Sequence, residues 1–94
     1  MIETFVLGSA VKLTAILEDN LPVGGVVTAS IYDSRDTLAV DDAATTKVAD
    51  NVFEYIYQST DNDIDGIYRV IFKTTVGNYT SMSTQTFKFA DVQA

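Results

Sequence analysis

The feature that most constrains this chain is the alternation between Asn51 and Lys73, which reads Asn-Val-Phe-Glu-Tyr-Ile-Tyr-Gln-Ser-Thr-Asp-Asn-Asp-Ile-Asp-Gly-Ile-Tyr-Arg-Val-Ile-Phe-Lys. A side-chain period of two puts alternate residues on opposite faces of a strand, so the pattern predicts two half-buried strands, Val52 to Ser59 and Ile67 to Thr74. An acidic connection ending in Asp65-Gly66 joins them. Phe53, Tyr55, Tyr57, Tyr68 and Phe72, half of the aromatic residues, fall here, which places the expected centre of the core in this stretch.

The same alternation recurs on both sides. Glu3 to Leu7 reads as an edge strand ending at Gly8-Ser9. Ala10 to Glu18 presents Val11, Leu13, Ala15 and Leu17 on one face and Lys12, Thr14, Ile16 and Glu18 on the other. Asp19-Asn20-Leu21-Pro22-Val23-Gly24-Gly25 forbids a regular central strand and marks a turn. Val26 to Tyr32 resumes the pattern with Val27, Ala29 and Ile31 inward, and Asp33-Ser34-Arg35-Asp36 closes it as a hairpin loop. Thr37 to Val40 is a short strand that Asp41-Asp42-Ala43-Ala44 interrupts; Thr45 to Val48 reads as a further edge strand or an extended crossing. Gly77-Asn78 suits a two-residue type II′ hairpin, with positive φ at the glycine. In the last strand, Tyr79 to Phe89, apolar parity shifts between Met82 and Phe87, which predicts a bulge. Ala90 to Ala94 reads as a loose tail.

Seven or eight short strands, turn signals every eight to twelve residues and no helical periodicity predict an all-β sandwich or barrel, one domain over residues 1–90 with a tail at 91–94. A chain of 94 residues buries only about 60 to 65 % of its unfolded surface on folding. It has no cysteine to supply a disulfide or thiolate site, so the 47 % hydrophobic content must suffice.

The formal charge is −7, and the six cations, Lys12, Arg35, Lys47, Arg69, Lys73 and Lys88, are scattered. Nucleic-acid affinity rests on a contiguous basic face, so a nucleic-acid partner is not expected. The start, Met-Ile-Glu-Thr-Phe-Val, lacks a basic n-region and a long apolar h-region, and nothing approaches the ~18 apolar residues of a membrane span. The expectation is a cytoplasmic product without a membrane partner.

Few motifs point to chemistry. Asp61-Asn62-Asp63-Ile64-Asp65-Gly66 fits the opening of a calcium loop, with Asp61, Asp63 and Asp65 as candidate ligands. The twelfth position, where a bidentate carboxylate is needed, is Phe72, and the residues after Gly66 read as a strand and not a helix; the alternative is an acidic loop turned by its glycine. Ser9-Ala10-Val11-Lys12 matches Ser-x-x-Lys, but on a strand Ser9 and Lys12 point to opposite faces, whereas that chemistry needs a helix. With no histidine and no cysteine, the usual general base and thiol nucleophile are missing, and carboxylate pairs such as Asp41-Asp42 carry little weight in a chain with thirteen acids. No enzymatic activity is expected. Asn78-Tyr79-Thr80 is a glycosylation sequon that also reads as a hairpin turn. Outward Thr and Ser residues with Tyr32 or Tyr79 suit either a wet sheet face or a docking and glycan-binding surface.

Two stretches resemble the immunoglobulin-like domains of bacteria and archaea. Leu17 to Asp33 is similar to their "D-x-x-x-P-V-x-G-x-x-V-x-A-x-I" run. Val52-Phe53-Glu54-Tyr55-Ile56-Tyr57 followed by Gly66-Ile67-Tyr68-Arg69-Val70 is similar to "G-x-Y-x-Y-x-Y … G-x-Y-x-V", with Asn51-Val52 in place of the usual Asp-Gly. The resemblance implies an immunoglobulin-like Greek-key β-sandwich of antiparallel strands. Tyr68 then stands where a corner tyrosine bonds back to the backbone, with Val70 at the cysteine position, or else is a plain core tyrosine. Stand-alone domains of this length look like small structural proteins of tailed viruses and prophages. A virion location, with capsid or head-and-tail joint proteins as partners in a multi-copy assembly, is the expectation. The alternative is an adhesion or glycan-binding module of a surface protein. No cofactor is expected beyond the calcium candidate.

Overall fold

The computed structural model describes residues 3–17, 24–60 and 62–90. Eight strands follow one another: β1 Thr4–Val6, β2 Ala10–Ile16, β3 Val26–Tyr32, β4 Leu38–Ala44, β5 Thr46–Ala49, β6 Val52–Gln58, β7 Gly66–Val76 and β8 Tyr79–Ala90. They form a five-stranded sheet, β1-β8-β7-β3-β4, and a three-stranded sheet, β2-β6-β5. The two pack face to face as a β-sandwich. Glu18 to Val23, including the single proline, and the tail at 91–94 lie outside the described residues.

The core follows from the alternation. Val11, Leu13 and Ala15 of β2 and Phe53 of β6 meet Val27, Ala29 and Ile31 of β3, Tyr68, Val70 and Phe72 of β7, and Phe87 and Phe89 of β8. Leu7, between β1 and β2, completes the set, and Phe5, Tyr55, Tyr57 and Ile64 close its margins. Rings carry the contact between the sheets, with Tyr57 of β6 standing 6.2 Å from Tyr68 and 6.1 Å from Phe89; within the larger sheet Tyr68 meets Phe89 edge-on at 4.9 Å. The two Tyr57 pairs are tilted, and the edge-to-face pair adds about 0.5–1.5 kcal/mol beyond the area it buries. The aromatic centre thus draws on Phe87 and Phe89 of the last strand as well as on the 51–73 stretch.

Tyr68 is a corner tyrosine. Its hydroxyl donates to the carbonyl of Ile64 at 2.6 Å while its ring is buried. The bond fixes the crossing from β6 to β7.

Four expectations are corrected. Not every pair is antiparallel: β1 runs parallel to β8, Thr4 to Lys88 through Val6 to Ala90. β4 does not stop at Asp41-Asp42 but continues to Ala44 through a bulge, where Ala29 pairs Ala43 and Ile31 pairs Val40. Asp42 supplies the extra residue, at φ +46. Its N–H donates to Ser30 Oγ at 3.0 Å, and its carboxylate accepts from Thr28 Oγ1 and from Lys73 Nζ at 3.3 Å each. Asp tolerates left-handed backbone when its side chain bonds locally, which is how a carboxylate pair sits inside a strand.

β7 does not fray at Thr74 but reaches Val76, because β3 and β8 hold it on both sides. β8 has no bulge: its pairing with β7 runs without a shift from Gly66 and Phe89 to Val76 and Tyr79. The parity change has another cause. Met82 lies on the outer face, 66 % exposed, and Ser81 and Ser83 occupy the inward parity beyond the smaller sheet, which Gln85 just reaches at its edge. Gly77, at φ +58, turns the two-residue hairpin loop as expected.

The chain crosses between sheets at Thr45, whose Oγ1 donates to the carbonyl of Val27 at 2.7 Å. β5 is therefore a true edge strand, the first of the two readings of Thr45 to Val48.

Burial, then the neighbouring Tyr57 and Asp63, push the Tyr68 hydroxyl up to about 12. A raised acid is neutral in the fold while the unfolded chain ionises, so its contribution is complete below about pH 10 and is lost as pH rises toward 12. Tyr68→Phe removes one buried hydrogen bond and strands the Ile64 carbonyl, a cost of about 1–2 kcal/mol at neutral pH. Urea titrations will show that loss, together with a shallower alkaline decline than in the wild type; an unchanged midpoint would remove the corner bond from the stability of the fold.

Candidate functional site

The acidic loop between β6 and β7 is the segment with a chemical claim from sequence. Asp61 lies outside the described residues, so the three-carboxylate set is not seen whole. Asp63 and Asp65 are described, and both are tied into the loop. The Asp63 N–H donates to the Thr60 carbonyl at 3.1 Å, and its Oδ2 accepts from the Thr60 N–H at 2.9 Å. Tyr57 Oη points at the same Oδ2 from 3.5 Å. Burial, then the Asp63 carboxylate, raises the Tyr57 hydroxyl above its ordinary value. Asp65 contributes its backbone: its carbonyl accepts from Ser34 Oγ at 2.7 Å.

That bond joins the β6–β7 loop to the β3–β4 hairpin. Gly66 makes the approach possible, since a Cβ there would lie 2.6 Å from Ser34 Cβ and the backbone stands at φ +117. The hairpin loop is organised by Asp33. Its Oδ1 accepts from the N–H groups of Arg35 at 2.9 Å and Thr37 at 3.0 Å. The Thr37 N–H, followed by Arg35, holds the Asp33 carboxyl below the usual carboxylate range. Asp36 takes φ +66 to complete the turn and binds Arg69 Nη2 at 2.8 Å.

Ser59 lies at the same end of the sandwich and is the buried polar residue among those described. Its Oγ donates to the Ser9 carbonyl at 2.7 Å and accepts from the Gly8 N–H at 3.0 Å, so both capacities are used in tying β6 to the start of β2. Ser9 enters this arrangement through its carbonyl. Lys12 lies along β2 and pairs with Glu54 across the outer face at 3.3 Å, so the two ends of the Ser-x-x-Lys motif serve different neighbours.

Among the described residues no three His, Cys, Asp or Glu side chains converge as a metal would need. Lys12, Arg35, Lys47, Arg69 and Lys73 each have a carboxylate within 4 Å. Exposed pairs of this kind contribute about 0–1 kcal/mol each. They do divide the surface: cations are spent on local carboxylates and the surplus negative charge is spread around them.

The two tyrosines with a surface role in prospect differ. Tyr32 is covered, with the Arg69 guanidinium 4.8 Å above its ring. The same guanidinium holds Asp36 and leaves its Nε as a buried nitrogen without a partner. Tyr79, beside the β7–β8 turn, is 81 % exposed. A shallow groove of about 230 Å³ opens between β8 and the edge of β2, lined by Phe5, Val11, Leu13 and Phe87 with Lys12, Thr14 and Gln85 at its rim. Gln85 Nε2 donates across it to the Thr14 carbonyl at 2.8 Å. Sequence reading missed the groove because it depends on which strands end a sheet. Compared with known families and curated proteins, the chain matches no family model and no curated sequence.

With Asp63 Oδ2 already engaged, thermal melts in calcium and in chelator will coincide; a higher midpoint in calcium would establish an ion site at the loop. Gly66→Ala adds strain in the left-handed region and a clash with Ser34, for a loss of about 2–3 kcal/mol in denaturant titrations. A variant of wild-type stability would show that the two loops can separate freely.

Proposed function

We propose that this chain is an immunoglobulin-like Greek-key domain acting as a non-enzymatic structural protein of a tailed virus or prophage, docking on other virion proteins. The observation that carries the reading is the arrangement around Tyr68. β2 neighbours β6 and β3 neighbours β7, so β2 and β3, like β6 and β7, are parted between sheets, and the corner bond to Ile64 sits at the β6–β7 crossing. The virion role itself rests on the likeness of Leu17 to Asp33 and Val52 to Val70 to such domains. Apolar side chains on the wet surface, Ile16 at 72 % exposure and Ile56 at 57 % on the outer face of the smaller sheet, suit protein contacts better than an isolated life in solvent.

One observation favours a second reading, an adhesion or glycan-binding module. Tyr79 is an uncovered aromatic platform flanked by Thr80 and Ser81, and sugars stack on such rings.

Mass spectrometry of purified particles will find the protein in many copies per virion, and its absence from them would sink the first reading. The second predicts saturable binding on a glycan array that Tyr79→Ala abolishes; an array without binding would leave Tyr79 a surface residue only.

A further inference from the structure

The outer strand of a sheet exposes a row of backbone donors and acceptors, and folded proteins blunt that edge with charge, proline, bulges or brevity. β8 uses none of these over most of its length. It is 12 residues long, pairs with β7 without a bulge, and meets β1 only from Lys88 to Ala90. From Tyr79 to Gln85 its other edge has no neighbouring strand among the described residues. Both faces are open there too from Tyr79 to Thr84, where every residue is exposed.

The direction of the free groups follows from β1. The Lys88 N–H donates to Glu3 and the Ala90 carbonyl accepts from Leu7, so the even-numbered residues point away from β7. In an unbroken antiparallel strand this parity persists. Thr80, Met82 and Thr84 therefore present their N–H and C=O groups at the open edge.

Charge leaves this edge open to a second copy. A copy of this chain carries −7, and three of the strands at sheet edges bring charges with them: Lys12 on β2, Asp41 and Asp42 on β4, Lys47 on β5; the fourth, β1, is uncharged but only three residues long. Between Lys73 and Lys88 there is no charge. Among the described residues this is the one long edge along which two copies can approach without aligning like charges. The strand is also its own complement: Thr80, Met82 and Thr84 have the β-branched or unbranched, uncharged side chains that pair well across antiparallel strands.

We infer that the β8 edge is a homotypic docking strand, on which a second copy of this chain pairs antiparallel, β8 to β8, to join two five-stranded sheets into one. The contact is two-fold and self-complementary, so it closes at a dimer. It goes beyond the functional reading above and holds whether the domain works in a virion or at a cell surface.

Sedimentation velocity of the full chain from micromolar to millimolar concentration tests it. The expected result is a shift from one copy to two, with concentration-dependent protection of the Thr80, Met82 and Thr84 amides from hydrogen exchange. Met82→Lys and Met82→Glu each place a like charge against its copy and will sediment as monomers with wild-type melting; mixing the two will restore the dimer. Thr84→Pro, which removes an outward N–H, will also be monomeric. A wild type that stays monomeric at millimolar concentration overturns the inference, and so does a dimer that the Met82 variants leave unchanged. Neither result touches the test on purified particles.

Discussion

Tyr68 joins the two things a small sandwich must do, which are to fill the space between its sheets and to return the chain from one to the other. Its ring contacts Tyr57, Phe87 and Phe89 from both sheets, and its hydroxyl holds the Ile64 carbonyl at the crossing. Without cysteine, the crossing has no covalent tie, and a buried ring with a satisfied polar end takes that place. The hydroxyl could not be buried alone; the loop supplies its acceptor. Ile64, whose carbonyl this is, packs its own side chain on the core, so the loop is anchored twice.

That anchoring explains why the acidic loop is ordered by backbone and hydroxyl bonds. Asp63 caps its own turn, Asp65 offers its carbonyl to Ser34, and Gly66 yields the room. The β3–β4 hairpin is drawn in through Ser34, and Asp33 stabilises that hairpin by accepting two backbone donors. One end of the sandwich is thus a closed set of loops. The opposite end, where β7 and β8 turn at Gly77, extends past the smaller sheet, and the molecule measures 46 Å along its longest axis against 23 and 22 Å. The side chains of β8 from Tyr79 to Thr84 stay exposed where the second sheet stops.

Much was legible from residue order. The period of two in Ala10 to Ile16, Val26 to Tyr32 and Ile67 to Phe72 gives the inward faces correctly, because a strand has only two faces and water selects between them. Turn chemistry is local, so Gly77-Asn78 and Asp33 to Asp36 were readable as well. Errors arose where a neighbour strand overrides local preference. Asp41-Asp42 looks like a break until Ser30, Thr28 and Lys73 are seen to receive Asp42 within the bulge. Met82 suggested a bulge because apolar parity assumes a covering sheet, and over Met82 there is none. Of the acidic loop, sequence shows the carboxylates but not that Asp63 is already bonded to Thr60.

By itself the sequence determined an all-β chain and which residues of most strands turn inward, since these depend on alternation and turn geometry within a few residues; whether Tyr68 bonds at the corner or only fills the core was left to the tertiary structure. Only the tertiary structure decided which strands lie side by side: β1 parallel to β8, the crossing at Thr45, the groove beside β2 and the open edge of β8. The physical reason is that pairing is non-local. A strand carries the same backbone groups along both edges, and nothing in its own residues says which edge a distant strand will cover and which will be left to a partner.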